Sequence, residues 1–195
     1  MNAKAEIRSL VIARRNAIPA DERIARSKKA CEELERYFGR IVSPGARIAV
    51  YHALGSEVDV SSFAKSALLY GWTCAFPVMV RNDNDAKARM TFWDVPLDGT
   101  RRAFFDKPAR AVTPDDPSLA GCTPCGPREI DAVVVPMVAF DAGNMRLGYG
   151  GGNYDRFLRE LRSDAVVCGI AFQEQEVEAV PTEPHDLALP KIIVA

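Results

Sequence analysis

The chain has 195 residues, enough for a sizeable core, and its 48% hydrophobic and 26% charged content is that of a globular protein. Lys and Arg total 25 against 26 Asp and Glu, a net charge of −1 that argues against a general nucleic-acid binder. No apolar run reaches membrane-spanning length, and Lys4, Glu6, Arg8, Arg14 and Arg15 interrupt any apolar signal segment, so a cytoplasmic protein with no membrane partner is expected.

The spacing predicts a helix over residues 3–16 with Ile7, Leu10 and Val11 on its apolar face. Lys4 and Arg8 project together one turn apart, with Arg15 almost in line. Such a row is either a solvated face or a contact for a polyanion such as a triphosphate, and spacing leaves both open. Pro19 and Asp21 open a second helix that runs to Phe38 through Ile24, Cys31 and Leu34, and Pro44-Gly45 ends it. Ile48 to Tyr51 is a strand. The loop His52 to Val58 follows, and Asp59 caps a helix with Phe63, Ala67 and Leu68 in its core face. That loop lies beyond a strand's carboxyl end, where open α/β sheets bind ligands. Glu57 is therefore either a ligand contact or an ordinary acid before a helix.

Thr73 to Phe76 is the next expected strand, closed by Pro77. The polar run Arg81 to Lys87 is a hairpin-type excursion into a strand from Met90 to Trp93. Residues 96–128, rich in Pro, Gly and charge, are expected to be irregular, with a short strand near Ala111-Val112. Five scattered cysteines (31, 74, 122, 125 and 168) do not make a disulfide framework. Cys122 and Cys125 form a C-x-x-C, but its loop setting and a total of two histidines, His52 and His185, argue against zinc or redox chemistry.

Ile130 to Pro136 reads as a buried central strand, followed by an Asp141 to Asn144 turn. Arg146 to Leu158 then reads RLGYGGGNYDRFL, with Gly148, Gly150, Gly151 and Gly152 falling within five positions. The pattern is neither a P-loop nor the dinucleotide fingerprint. Tyr154, Phe157, Leu158 and Leu161 continue it at helical spacing. A glycine turn opening a helix leaves N–H groups and the positive dipole end facing one anion, while a flexible turn is the plainer reading. Asp155 in the first helical turn would repel a bare phosphate and suits a divalent cation set between them. Arg146 stands ready to neutralise phosphate charge. Val166 to Phe172 is another buried strand, parallel to the central one, and Ile192 to Val194 closes the chain. His185-Asp186 is a surface loop pair or, through Asp186, a second carboxylate for the cation. On these elements the fold is α/β: a single domain over residues 1–195, Rossmann-like, with a mostly parallel central sheet flanked by helices and a hairpin and irregular region in the middle.

Several stretches together resemble the 5-formyltetrahydrofolate cyclo-ligases. They are Lys4-x-x-x-Arg8, Tyr51 with Glu57-Val58-Asp59, Phe76-Pro77, Asp131 through Leu158, Gly169-x-Ala171-Phe172-x-x-Gln175 and Pro181-x-Glu183-x-His185-Asp186. The resemblance implies closure of 5-formyltetrahydrofolate to 5,10-methenyltetrahydrofolate, with ATP consumed and ADP and phosphate released. The chemistry it implies is phosphorylation of the formyl oxygen, then attack by N10 on the activated carbon. It assigns Lys4, Arg8, Arg146, Leu147, Gly148, Tyr149, Gly150, Gly151, Gly152, Asn153 and Tyr154 to ATP. His52 and Glu57, with Tyr149 to Asn153, would face the folate. Asp155 and Asp186 would hold Mg²⁺, and Arg146 and Tyr154 would act at the reacting atoms. The expected partner is the small-molecule folate, polyglutamylated forms included, with the protein a monomer or weak homo-oligomer. Asn153 stands where the family usually has Tyr or Phe. A second reading follows from it, a non-catalytic protein that binds reduced folate or nucleotide. A third, from the glycine turn alone, is a sugar-phosphate or acyl-CoA enzyme that needs no ATP.

Overall fold

The computed structural model describes residues 3–82, 86–96, 105, 107–108, 110–183 and 186–195. His185, the middle of the 81–87 run and much of 97–109 lie outside the described residues. Two helices lead the chain, α1 (Ala3–Ala17) and α2 (Ala20–Ile41). Pro19 separates them because it has no N–H to continue α1 and disfavours helix at Ile18. Its carbonyl then accepts from Arg23 at 2.9 Å to start α2. Cys31, Leu34 and Phe38 are buried as their spacing predicts. Ile24 is exposed instead, because burial along α2 begins only at Ser27.

The main sheet takes in β1 (Arg47–Ala49), β2 (Thr73–Val80), β3 (Arg89–Asp94), β4 (Ala111–Val112), β5 (Thr123–Cys125), β6 (Ala132–Val135), β9 (Val166–Ala171) and β10 (Ile192–Val194). Its order is β10-β9-β6-β1-β2-β3-β5, with β4 also on β2. The neighbours from β10 to β2 pair in parallel, and β2-β3 and β3-β5 are antiparallel. Chain order runs one way from β1 to β2 and the other way from β6 to β9 and β10. The switch point therefore lies between β1 and β6, where open sheets of this kind bind ligands at their carboxyl ends. Between β6 and β9 sit the small hairpin β7 (Ala139–Phe140) and β8 (Arg146–Leu147) and the helix α4 (Asn153–Glu160).

Side chains of the parallel strands alternate between two cores. Ile48 and Val134 join Leu34, Phe38, Phe63 and Trp72 under α2 and α3 (Ser61–Ala67). Ala49, Val133 and Val135 join Phe92 and Phe157 under α4. The β6 valines are completely buried, each contributing about 1.5–3 kcal/mol. A third cluster, Val11 against Val138, Ala139, Leu147 and Val180, seats α1 on the β7–β8 hairpin.

Three local expectations change. Pro77 does not close β2, which continues to Val80. The Ala75 carbonyl accepts from Val50, and the Arg81 N–H donates to Val112, so alternation turns residue 77 toward the same edge. There β1 pairs only up to Ala75 and β4 only from Met79. The missing proline N–H thus faces a gap and costs no ladder bond. Asp59 does not occupy the position immediately before α3. Val60 does, and the Asp59 carboxylate accepts from the Ser61 N–H at 2.8 Å. Leu68 falls in a 3-10 turn after α3 and is exposed rather than part of the core.

Cys122 and Cys125 belong to opposite cores, neither forms a disulfide, and burial pushes the Cys125 thiol up to about 12. No helix among the described residues is long and apolar enough to cross a membrane.

Gly169 lies inside β9 between β6 and β10. A methyl added there would meet Met137 Cε at 2.5 Å and Leu189 Cδ1 at 2.7 Å, both on buried side chains. Gly169→Ala should destabilise the protein by about 1–3 kcal/mol. A urea midpoint equal to wild type would show that this core yields more easily than its packing implies.

Candidate active site

A cleft of about 650 Å³ opens at the switch point, and every site residue singled out in the sequence lines it. The loop after β1 forms one wall. Tyr51 donates to the Val58 carbonyl at 2.6 Å and closes that loop on itself. Glu57 is turned inward and only 7% exposed, with Oε2 accepting from the Leu54 N–H at 2.8 Å. Burial raises its pKa above 4.5, opposed by that N–H, the Arg15 charge and a hydrogen bond from Tyr149. His52 stands at the mouth and stacks on Phe105 with centroids 4.9 Å apart.

The opposite wall is built from the hairpin and the glycine turn. Asp141 organises the hairpin: Oδ1 accepts from Gly143 and Met145, and Oδ2 accepts from Val180. The turn Asp141 to Asn144 was legible in the sequence, with Asn144 taking the left-handed conformation at φ 59°. β8 then delivers Arg146 into the cleft, buried. Its Nη2 donates to Asp155 Oδ1 at 2.6 Å, and its Nε has no partner among the described residues. Beyond it, Gly150 at φ 105° and Gly152 at φ 62° take conformations that side chains resist. Gly152 precedes α4 without any side-chain cap, which leaves the first N–H groups of the helix open. Asn153 accepts from Arg156 Nη2 at 2.6 Å. Tyr154 is partly buried, but its hydroxyl is buried with no partner among the described residues, and burial pushes its pKa well up.

The row on α1 meets this turn rather than solvent. Arg8 Nε donates to the Gly148 carbonyl at 2.7 Å, and its guanidinium comes within 3.4 Å of where a Gly150 Cβ would lie. Lys4 donates to Glu183 at 2.9 Å and to Asp186 at 3.3 Å. The sequence reading missed Arg15 as a site residue. It is 2% exposed and reaches Ser56 and Tyr149. Its place in line with Lys4 and Arg8 was the available signal. Also missed were Met79, Met90 and Met137, which with Pro77 and Pro136 make the cleft's apolar wall. They come from distant strand ends and carry no local motif.

A family profile described as 5-formyltetrahydrofolate cyclo-ligase matches residues 1–195. The chain belongs to the 5-formyltetrahydrofolate cyclo-ligase family. It is 27% identical over 192 residues to the 5-formyltetrahydrofolate cyclo-ligase of Mycolicibacterium smegmatis, covering 98% of this chain and 93% of that one. A 67-residue stretch is 45% identical to the Haemophilus influenzae cyclo-ligase, covering 34% of this chain and 36% of that one. Among solved structures, a 5,10-methenyltetrahydrofolate synthetase from Mycoplasma pneumoniae matches with a TM-score of 0.73 at 24% identity over 98% of both chains. One from Aquifex aeolicus matches with a TM-score of 0.68 at 22% identity, over 99% of this chain and 90% of that one. These structures share the mixed α/β fold.

The donor set fits the groups such a cyclo-ligase would hold. Arg146 Nε and Tyr154 Oη are buried polar atoms without partners among the described residues, beside the glycine turn, and an anion would satisfy them. Asp155 and Asp186 both line the cleft. Among the described residues no three His, Cys, Asp or Glu side chains cluster into a cation cage. Two carboxylates suit Mg²⁺, which completes its shell with phosphate oxygens and water.

Glu57 yields a test of this electrostatic picture. A carboxyl whose folded pKa is raised above 4.5 favours folding below that value and loses the advantage as pH rises through the folded pKa. The stability of Glu57→Gln relative to wild type should therefore climb as pH rises above 4.5 and level off once Glu57 has ionised in the folded protein. Urea denaturation at stepped pH measures it, and a constant difference would mean that Glu57 ionises as freely as it does in water.

Proposed function

We propose that the cleft closes the ring of 5-formyltetrahydrofolate to give 5,10-methenyltetrahydrofolate while ATP is converted to ADP and phosphate. Family membership supports the folate conversion. The observation that carries the nucleotide half is that two of the three buried polar groups without a partner among the described residues, Arg146 Nε and Tyr154 Oη, sit beside an uncapped helix start. Such a place is made for phosphate oxygens.

The residues divide the work by chemistry. Lys4 and Arg8 bring positive charge to the glycine turn from α1, and the turn's N–H groups approach closely because no Cβ intervenes. Arg146 neutralises charge that builds on a transferring phosphoryl group, since such transfer needs positioning and charge stabilisation more than a covalent nucleophile. Asp155 and Asp186 would hold Mg²⁺, which screens phosphate charge when bound. The wall of Met79, Met90 and Met137 provides apolar contact for a flat heteroaromatic ring, and Glu57 offers an acceptor to its N–H groups. His52 stands at the same mouth. The hydroxyl of Tyr154 reaches the region where both substrates meet, and its raised pKa keeps it a neutral donor.

The direct test is to mix the protein with 5-formyltetrahydrofolate, with and without ATP and Mg²⁺, and to follow the near-ultraviolet band of the methenyl product. A rise that requires both supports the proposal. Tight folate binding without turnover would replace it with a non-catalytic folate-binding protein.

Two variants probe the assignment. Asp155→Ala should lower kcat by about 100-fold or more with its thermal transition retained. Near-normal turnover in a folded variant would remove Asp155 from the metal site. Lys4→Ala should raise the KM for ATP by about tenfold. A change confined to the folate KM would contradict its phosphate role.

A further inference from the structure

We propose that Arg15, which stands behind the cleft wall, is a positioning residue that holds Tyr149 and Glu57 in the arrangement that receives the folate. The inference rests on the folate reading of the cleft given above.

Arg15 is buried, yet among the described residues it makes no direct ion pair. A buried guanidinium without counter-charge is costly, and Nη1 has no hydrogen-bond partner among the described residues, so Nε and Nη2 carry the compensation there is. Nε donates to Ser56 Oγ at 2.9 Å, and the Ser56 O–H donates to Asn16 Oδ1. Nη2 donates to Tyr149 Oη at 2.8 Å. A phenol oxygen that accepts from a guanidinium is left with its own O–H to donate, and the Tyr149 hydroxyl lies on the Glu57 side of the same cleft. The polarity therefore runs in one direction: guanidinium N–H to Tyr149 oxygen, with the Tyr149 O–H left to face the Glu57 carboxylate. The Leu54 N–H holds Glu57 Oε2 on the other side.

This arrangement fixes two things. Tyr149 is half exposed on a glycine-rich turn, where its ring would otherwise swing freely, and Arg15 pins its hydroxyl. Glu57 is kept as an acceptor. The other groups that face it are the hydroxyls of Tyr51 from the end of β1 and of Tyr154 from α4, both neutral, so the charge acting in favour of its ionised form comes from Arg15. Helix α1 thus serves both halves of the site, phosphate through Lys4 and Arg8 and folate through Arg15.

The test is equilibrium binding of 5-formyltetrahydrofolate across pH, followed by calorimetry without nucleotide, with ADP and Mg²⁺ binding measured in parallel. In wild type, affinity should fall as pH drops through the Glu57 transition. Removing either link of the chain favours protonated Glu57, so Arg15→Met and Tyr149→Phe should both move that limb to higher pH. Each should weaken folate binding by about tenfold near neutrality and ADP binding by a smaller factor. The double variant should be little worse than either single one, because both break the same chain. Arg15→Lys, which keeps the charge and loses the fork, should leave the limb nearer to wild type than Arg15→Met does. Should Arg15→Met fail to fold, Tyr149→Phe still decides, since its ring is half exposed. A limb that stays in place in Tyr149→Phe, or additive losses in the double variant, would overturn the assignment while leaving the folate reading intact. Wild-type protein that does not bind 5-formyltetrahydrofolate at any pH would overturn both.

Discussion

A glycine-rich backbone, Gly148 to Gly152, in which Tyr149 alone carries a side chain, is held in place by arginines from a helix at the other end of the chain. The Arg8 bond to the Gly148 carbonyl spans 140 residues of sequence, and the Arg15 bond to Tyr149 spans 134. Each is a charged donor on a partly buried acceptor, the stronger class of hydrogen bond. The turn needs them. Gly150 and Gly152 have positive φ, and glycine's freedom would otherwise leave the segment disordered before a ligand arrives. The packing of Val11 on Leu147 and Val138 brings α1 within reach, so a small apolar cluster supports the whole polar wall.

The cleft's charges are balanced internally. Lys4 rests on Glu183 and Asp186, and Arg146 rests on Asp155. Both carboxylates assigned to a cation are thus held by the cations assigned to phosphate. On the proposed reading, a Mg²⁺–phosphate pair would replace these contacts with others of the same charge, so that Arg146 would keep a counter-charge.

The sheet places the two walls. Its parallel half, β10 to β2, sends the chain to the same edge after β1 and after β6, and the His52–Glu57 loop and the Arg146–Asp155 stretch meet there. The antiparallel half does different work. β2 runs on through Pro77 to Val80, and its hairpin with β3 carries Met79 and Met90, cross-strand partners, into the apolar side of the cleft. A β2 that stopped at Pro77 would lack that wall.

The sequence by itself determined the parallel core, the glycine turn and its helix, because these rest on local signals: the buried run Val133 to Val135, the φ freedom of glycine, the spacing of Tyr154, Phe157 and Leu158. It also placed Lys4, Arg8, Glu57, Asp155 and Asp186 among the candidates. It left open whether the cations on α1 faced water or a ligand, since helical spacing gives a face and not what the face meets. Only the tertiary structure decided that Arg15 is buried, that Glu57 is turned inward and desolvated, and that three methionines share a wall. Each of those facts arises between elements far apart in the chain, where burial and charge pairing depend on which surfaces the sheet brings together. Pro77 marks the same boundary. A proline ends a strand only where its N–H was needed, and that depends on the neighbouring strands at its edge.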